Sequence, residues 1–200
     1  MTLELVVRAG YRPAPLFVHY GQSNVVEVEY ARRQAAAHTH ALFQPLREVR
    51  VDGLRDIAPQ CVMLTGGEAA RFSRVSDVCV PARMPLFLSL AAMYMHSLNT
   101  PYLAVGVQCE GLPQGYPDAS GPFIDQMEDA LAHALGTDTF RCFTPLLDMQ
   151  KQQIANLARA LDINVERDTY SCLVGGEKHC GECVSCFPGG THWRDLDEVQ

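Results

Sequence analysis

Four cysteines close to the carboxyl end constrain the fold of this chain more than any other feature of its sequence. They lie within fifteen positions and follow the spacing C-x7-C-x2-C-x2-C, as Cys172, Cys180, Cys183 and Cys186. Cys-x2-Cys steps hold thiolates at the separation that a tetrahedral metal ion requires, and the seven-residue loop lets the first cysteine complete the shell. We therefore predict one structural zinc ion with four thiolate ligands. Such a site has no open position for a catalytic water.

Other uses of these cysteines are open at this stage. C-x2-C-x2-C is also an iron–sulfur spacing, and a Cys-x2-Cys pair can be a redox site, although redox pairs usually stand at a strand–helix junction. Disulfides are not expected, because the first residues do not have the pattern of a signal peptide. Two neighbouring histidines, His179 and His192, are predicted to be solvated, since four thiolates already fill the shell.

Charge and composition narrow the classes of function. The 200 residues are 48% hydrophobic, which suffices for one well-buried domain. The net charge is −7 and the basic residues are scattered, so the surface repels phosphate backbones. No apolar run approaches the roughly 18 residues of a membrane-spanning helix. We expect a cytoplasmic protein that binds neither membranes nor nucleic acid directly.

Strand patterns alternate with helical patterns along most of the chain. Predicted strands cover residues 14–19, 46–51, 102–107 and 140–144. Predicted helices cover residues 24–40, 85–98, 122–135 and 148–161, and residues 53–80 are expected to be irregular. The alternation is typical of an α/β fold with a doubly wound parallel sheet. We therefore predict an α/β domain over residues 1–168 and a zinc-binding segment over residues 169–200.

Three local features carry specific expectations. Asn24 is expected to cap the first of these helices and to form a capping box with Glu27. The helix over residues 85–98 is almost wholly apolar, so we expect it to be buried between other layers. The run at residues 102–107 is apolar throughout, which is typical of a central parallel strand.

Short motifs follow one another along the chain in a distinctive order. They are Tyr20-Gly21-Gln22, Val80-Pro81-Ala82-Arg83, Gly106-Val107, Gly115-Tyr116-Pro117-Asp118 and the segment from Ser171-Cys172 to Cys186. In order and approximate spacing, across residues 2–187, the set resembles the 7-cyano-7-deazaguanine synthases, the zinc-containing branch of the PP-loop ATP pyrophosphatases. Each motif is weak alone, whereas the ordered set is specific.

The resemblance implies an ATP-dependent carbon–nitrogen ligase. In this family ATP activates the carboxylate of 7-carboxy-7-deazaguanine as an adenylate, ammonia displaces AMP, and a second ATP-driven step dehydrates the amide to the nitrile. Activation is needed because a carboxylate is a poor electrophile with a poor leaving group. The implied cofactors and partners are zinc, ATP with magnesium, 7-carboxy-7-deazaguanine and ammonia. The implied product feeds queuosine-type biosynthesis; the sequence leaves the oligomeric state open, and a homodimer would be an ordinary outcome.

The resemblance also implies a set of residues that bind the substrate or the nucleotide, while the catalytic residues stay unknown. The implied set is Tyr20, Gln22, Arg83, Gly106, Tyr116 and Asp118. Arg83 would lie near phosphates or the substrate carboxylate, which its guanidinium can hold with two hydrogen bonds. Asp118 would accept hydrogen bonds from the deazaguanine edge. The alternatives are an arginine that bridges a helix start and an aspartate in an ordinary turn.

A glycine-rich loop, Ser-Gly-Gly-x-Asp-Ser, defines the superfamily and holds ATP phosphates at a helix N-terminus, but these 200 residues do not contain it. Met1 aligns with the residues just after that loop. We therefore expect Met1 to be an internal methionine of a longer reading frame, and an upstream stop codon without the loop in frame would refute this. A Thr-Gly-Gly at residues 65–67 imitates the loop but lacks the Asp-Ser, so we expect a turn there.

Several residues differ from the motifs of the family. His19 stands in place of an aspartate, Ser23 and Asn24 stand in place of a basic pair, and Met84 stands in place of an asparagine. These differences leave a second hypothesis open, namely a divergent relative that stops at the amide or is non-catalytic because the phosphate loop is absent. A third hypothesis, a zinc-knuckle module that binds nucleic acid, is disfavoured by the net charge of −7.

Overall fold

A computed structural model describes residues 1–72, 75–108, 116–183 and 185–186 of the chain. The chain divides into two compact units. The first unit comprises Met1–Gly10 and Pro81–Gln150, and the second comprises Tyr11–Val80 and Lys151–Gln200. The predicted domain boundary between residues 168 and 169 lies inside the second unit, and it stays a prediction. Among the described residues, every helix is too short or too polar to cross a membrane.

The secondary structure alternates helices and strands. The α-helices, in chain order, are α1 (Thr2–Arg8), α2 (Glu27–Ala37), α3 (Leu54–Ile57), α4 (Val62–Thr65), α5 (Val75–Val78), α6 (Arg83–Ser97), α7 (Gly121–Leu135), α8 (Lys151–Ala160) and α9 (Val165–Asp168). The strands are β1 (Leu16–His19), β2 (Arg47–Arg50), β3 (Tyr102–Ala104) and β4 (Arg141–Phe143). Short 3-10 turns cover Thr39–Ala41, Ala69–Phe72 and Pro117–Ala119.

The strands form two parallel pairs. In the second unit β1 pairs with β2, with Leu16 opposite Arg47 and His19 opposite Arg50. In the first unit β3 pairs with β4, with Leu103 opposite Cys142. Each pair is connected through a helix, α2 or α7, as parallel neighbours require. The prediction of an α/β protein with parallel strands is confirmed.

The β3–β4 pair differs from a central, doubly buried strand pair. Leu103 and Cys142 face the hydrophobic core of the first unit. Tyr102 is 60% exposed and Phe143 is 48% exposed on the opposite face. The expectation that residues 102–107 form a buried central strand is therefore wrong. Side chains alternate between the faces of a strand, and the described residues cover only one face of this pair.

Helix α6 contributes one side to the core of the first unit rather than being surrounded. Its buried residues Leu88, Ala92 and Met95 recur at helical spacing. Met93, on another side of the same helix, is 68% exposed. The expectation that this helix is buried between layers is therefore wrong. An apolar helix is buried on all sides only where other elements pack against every side of it.

The start of α2 also differs from its prediction. Asn24 lies three residues before the helix, and its side-chain amide donates to the Glu27 carboxylate. The Glu27 amide donates to the backbone carbonyl of Asn24, at 3.0 Å, rather than to its side chain. The capping box is therefore wrong in its geometry, although the two residues do contact each other. Asn24 is 2% exposed.

Residues 53–80 contain more regular structure than predicted. Helices α3, α4 and α5 are four residues each. A single turn is too short to produce a hydrophobic period, so pattern analysis assigned no structure there. The prediction of an irregular segment is wrong for these turns. The Thr-Gly-Gly at residues 65–67 ends α4 and does not follow a strand, in agreement with an ordinary turn.

A hydrogen-bonded cluster ties β1 and α2 to β2. His19 Nε2 lies 2.8 Å from Glu48 Oε2. Arg32 donates to both carboxylate oxygens of Glu48, at 2.7 and 2.9 Å. These bonds, first from Arg32 and then from His19, lower the pKa of Glu48 to about 2. The cluster stabilises the fold only while the Glu48 carboxylate is ionised.

We expect Glu48→Gln to destabilise the protein near neutral pH, by an amount that shrinks in acid. The pKa of Glu48 is lower in the folded protein than in the unfolded chain. The stabilisation is therefore complete above the ordinary carboxyl pKa and disappears as the pH falls toward about 2. Urea midpoints of both proteins at pH 7, 4 and 2.5 measure the difference. Glu29→Gln is the control, because Glu29 contacts the same Arg32 through a solvent-exposed pair. A midpoint difference that stays constant with pH would contradict the assignment.

Candidate functional site

The four predicted metal ligands converge in the second unit. The sulfur atoms of Cys172, Cys180, Cys183 and Cys186 all lie within 4.8 Å of one another. A tetrahedral ion with metal–sulfur bonds of about 2.3 Å requires its sulfurs to lie about 3.8 Å apart, which this cluster reaches with small movements. Cys172 and Cys183 are fully buried, and Cys180 is half-buried. The cluster can therefore hold a metal ion.

Backbone amides point at the sulfurs of the cluster. The Cys183 amide donates to Cys180 Sγ at 3.3 Å, and the Glu182 amide donates to the same sulfur at 3.4 Å. The Cys180 amide lies 3.5 Å from Cys172 Sγ. N–H groups directed at sulfur stabilise thiolates and orient them toward a metal. The turns between the cysteines are thus arranged to accept negative charge on the ligands.

The thiols have divergent acidities because they compete for protons. A hydrogen bond from Cys183 lowers the pKa of Cys172, and the same contact raises the pKa of Cys183. Burial raises the pKa of Cys186 to about 11. Without a cation at the centre, the cluster cannot carry four thiolates at neutral pH. A bound metal ion would supply the missing positive charge, with release of protons.

His179 and Tyr170 flank the cluster. His179 Nδ1 lies 3.8 Å from Cys186 Sγ, and its ring lies 4.9 Å from the ring of Tyr170. The Tyr170 hydroxyl donates to the Gly176 carbonyl at 2.7 Å. The prediction that His179 is solvated is therefore wrong. A thiolate cluster carries excess negative charge, so a ring N–H is a favourable neighbour even when it is not a ligand. His192 lies outside the described residues.

Tyr20 and Gln22 lie in the loop that follows β1, in the second unit. They are 6% and 3% exposed. The Gln22 side-chain oxygen accepts from the Tyr20 backbone amide at 2.8 Å, and Gly21 between them has φ +80°. The glycine is required because other residues disfavour positive φ. Gln22 thus closes a tight turn at the carboxyl end of a parallel strand, where ligands of α/β proteins commonly bind.

Asp118 lies beside the start of α6, the helix that begins with Arg83, in the first unit. Arg83 is the first residue of α6. The next backbone amide, that of Met84, lies 3.4 Å from Asp118 Oδ2. Asp118 lies in the 3-10 turn Pro117–Ala119, and this turn begins directly after Tyr116. The carboxylate therefore occupies a favourable place at the positive end of the α6 dipole, which is the turn-and-cap role named above as its alternative.

Gly106 follows β3 in the first unit and approaches α1 closely. A β-carbon at this position would lie 2.8 Å from Thr2 Oγ1. A larger residue would therefore require the Thr2 side chain to move. This contact gives a packing reason for glycine at residue 106, independent of any ligand.

Pattern analysis did not single out Ser23 as a site residue. Its hydroxyl donates to the carbonyl of Leu173, the residue after the first metal ligand, at 3.0 Å. The signal in the sequence was indirect, since Ser23 and Asn24 are where the chain departs from the basic pair of the family motif. A contact across 150 positions has no periodic signature.

Comparison with known proteins gives a consistent result. The family model described as "Queuosine biosynthesis protein QueC" matches residues 1–193. A 7-cyano-7-deazaguanine synthase of Oceanobacillus iheyensis is 33% identical over 186 residues, which cover 89% of this chain and 80% of that protein. The synthase of Aquifex aeolicus is 31% identical over 84% of this chain and 78% of its own length. The synthase of Picrophilus torridus is 28% identical over 99% of this chain and 84% of its own length.

Proposed function

We propose, since this chain belongs to the family of the queuosine biosynthesis protein QueC, that it converts 7-carboxy-7-deazaguanine and ammonia into 7-cyano-7-deazaguanine with ATP. The observation that carries the proposal is the family match over residues 1–193, together with synthase relatives at about 30% identity. The ordered motifs of the sequence support it independently.

The proposed reaction has two activation steps. The substrate carboxylate attacks the α-phosphate of ATP, which forms an acyl adenylate and releases pyrophosphate. Ammonia then displaces AMP and leaves the amide. The amide oxygen then attacks the α-phosphate of a second ATP, which releases pyrophosphate, and loss of AMP together with both amide protons leaves the nitrile. Each AMP carries away one oxygen of the original carboxylate, so the two ATP molecules account for both oxygens.

We further propose that Cys172, Cys180, Cys183 and Cys186 hold zinc. Sulfurs within 4.8 Å of one another favour a single ion over an iron–sulfur cluster, whose thiolates bind different iron atoms and stand further apart. Zinc suits four thiolates in tetrahedral geometry. With every position occupied by sulfur, the ion would stabilise the fold and would not activate water.

The ligand-binding assignment of Tyr20, Gln22, Arg83, Gly106, Tyr116 and Asp118 remains a proposal. For Arg83, its place as the first residue of α6 supports it, because its guanidinium is carried by a helix N-terminus. Both favour anions such as a carboxylate or a phosphate. Magnesium-bound ATP is the proposed co-substrate. The proposed topology is a doubly wound sheet, since both strand pairs are parallel and connected through helices.

A product assay tests the function. The protein, and the upstream-extended protein if the reading frame continues before Met1, is incubated with 7-carboxy-7-deazaguanine, ATP, magnesium and ammonium. We expect mass spectrometry to detect the nitrile, with two AMP per nitrile.

We expect Arg83→Gln to lower kcat/KM about 100-fold, since it removes the charge that would hold a phosphate or carboxylate. Arg159→Gln, an exposed change in α8, is the matched control.

Each outcome of the assay has a separate meaning. Accumulation of the amide without nitrile would support the alternative of an enzyme that stops half-way. Absence of both AMP and product from the upstream-extended protein would overturn the proposed activity. Equal activity of the Arg83→Gln and Arg159→Gln variants would remove Arg83 from the site while leaving the reaction in place.

A further inference from the structure

Ser23, in the loop after β1, is held from two sides within the second unit. Its hydroxyl donates to the Leu173 carbonyl at 3.0 Å, and its backbone amide donates to the Met63 carbonyl at 2.7 Å. Leu173 directly follows the metal ligand Cys172. The loop after β1, which we define as residues 20–24, is therefore bonded to the backbone of the metal-binding segment.

A second, independent contact involves Gly175, which lies between the ligands Cys172 and Cys180. Gly175 has φ +84°, and a β-carbon there would lie 2.8 Å from Asn24 Cα and well inside van der Waals contact of the Ser23 carbonyl oxygen. Both neighbours are backbone atoms, which cannot rotate away. The backbone of Gly175 therefore packs directly on the Ser23–Asn24 peptide, and only glycine fits.

The 20–24 loop is internally rigid, so a displacement at Ser23 is transmitted along it. The Gln22 side chain accepts from the Tyr20 amide, and the Asn24 side chain donates to Glu27 at the start of α2. Gln22 and Asn24 are 3% and 2% exposed. Buried side chains with fixed hydrogen bonds do not relax independently of the backbone that carries them.

We infer that the segment 172–176 of the metal site is a positioning element for the 20–24 loop, with Gly175 and Ser23 as its positioning residues. The metal ligands fix the backbone on either side of Gly175, and Gly175 and Leu173 in turn fix Ser23. A bound ion would thus help to hold Tyr20 and Gln22 in place, in addition to stabilising the carboxyl end of the chain. The effect on catalysis rests on the proposed function, in which these two residues contact a ligand.

The test compares two glycines with nearly the same φ. Gly175→Ala introduces the clash with residues 23–24. Gly53→Ala introduces the same strain at φ +85°, where a β-carbon meets nothing within 4 Å. Ser23→Ala is a milder third variant that removes only the bond to Leu173 and keeps the fold if Gly175→Ala does not. For each protein we would measure zinc per chain, hydrogen exchange of a peptide covering residues 20–26, and kcat and both KM values.

We expect Gly175→Ala to retain zinc, to accelerate exchange in residues 20–26 about tenfold, and to raise the KM of ATP or of the carboxylate about tenfold. Ser23→Ala should show the same changes at about threefold, since one hydrogen bond is lost. Gly53→Ala should leave exchange in residues 20–26 and both KM values as in the parent protein. Unchanged exchange and unchanged KM values in the zinc-loaded Gly175→Ala and Ser23→Ala variants would overturn the inference.

Exchange and turnover separate this inference from the proposed function. Hydrogen exchange needs no substrate, so it reports on the loop even if the parent protein does not form the nitrile. A parent protein without activity, combined with faster exchange in Gly175→Ala, would contradict the function and keep the positioning contact. An active parent protein whose variants show the same exchange and the same KM values as the parent would support the function and contradict the positioning contact.

Discussion

Replacing Cys183 with Ser is expected to abolish stoichiometric metal binding and to lower the free energy of unfolding by more than about 4 kcal/mol. Cys183 is fully buried among the other three ligands. A hydroxyl is a poor zinc ligand. The variant therefore keeps only three thiols, which is one ligand too few to complete the metal shell. Because a structural zinc site forms only in the folded chain, its binding free energy is also folding free energy. Elemental analysis and urea unfolding of the reduced protein measure the two effects.

Cys79→Ser is the matched control for this change. Cys79 is a half-buried cysteine in the same unit, outside the four-cysteine cluster. We expect this variant to keep about one metal ion per chain and to lose far less stability than Cys183→Ser. Equal metal content in the two variants, or no stoichiometric metal in the parent protein, would contradict the metal site.

Replacing Phe140 with Ala is expected to destabilise the protein by about 3–5 kcal/mol. Phe140 is fully buried and packs in a cluster with Ala92 and Met95 of α6. Removal of the ring leaves a cavity between α6 and β4. The helix and the strand cannot move close enough together to fill it. Chemical denaturation with an unchanged m-value would measure the loss.

Phe143→Ala tests the same substitution on the exposed face of β4. Phe143 is 48% exposed, three residues from Phe140. We expect a loss of less than about 1 kcal/mol, since little buried area disappears. If both variants lost the same stability, the face of β4 that carries Phe143 would have to be covered in solution, contrary to this structure.

The secondary structure illustrates which signals a sequence carries. All four predicted strands exist, and each lies inside its predicted range. The long helices α6 and α7 agree with their predictions within two residues. Their apolar residues recur over several turns, and α7 also has a serine cap, an early proline and a terminal glycine. Helices of one turn, such as α4, have no period and were missed.

The sites show the same division. The cysteine spacing predicted a cluster whose geometry the structure confirms, because ligand spacing within a short loop is a local property. The contact of His179 with Cys186 was not predicted, since nothing in the sequence states how the ring is oriented. Asp118 lies beside the start of α6, 34 positions away, through a contact that only the folded chain creates.

For this protein the sequence alone determined what short-range chemistry determines: the alternation of strands and helices, the metal-binding cysteines and the membership of a synthase family. Tertiary structure decided which faces of β3 and α6 are covered, where Asp118 and His179 find partners, and that Ser23 is bonded to the metal-binding segment. The physical reason is distance along the chain. A spacing or a period is encoded in neighbouring residues, whereas burial and contacts between remote residues depend on the simultaneous packing of every element.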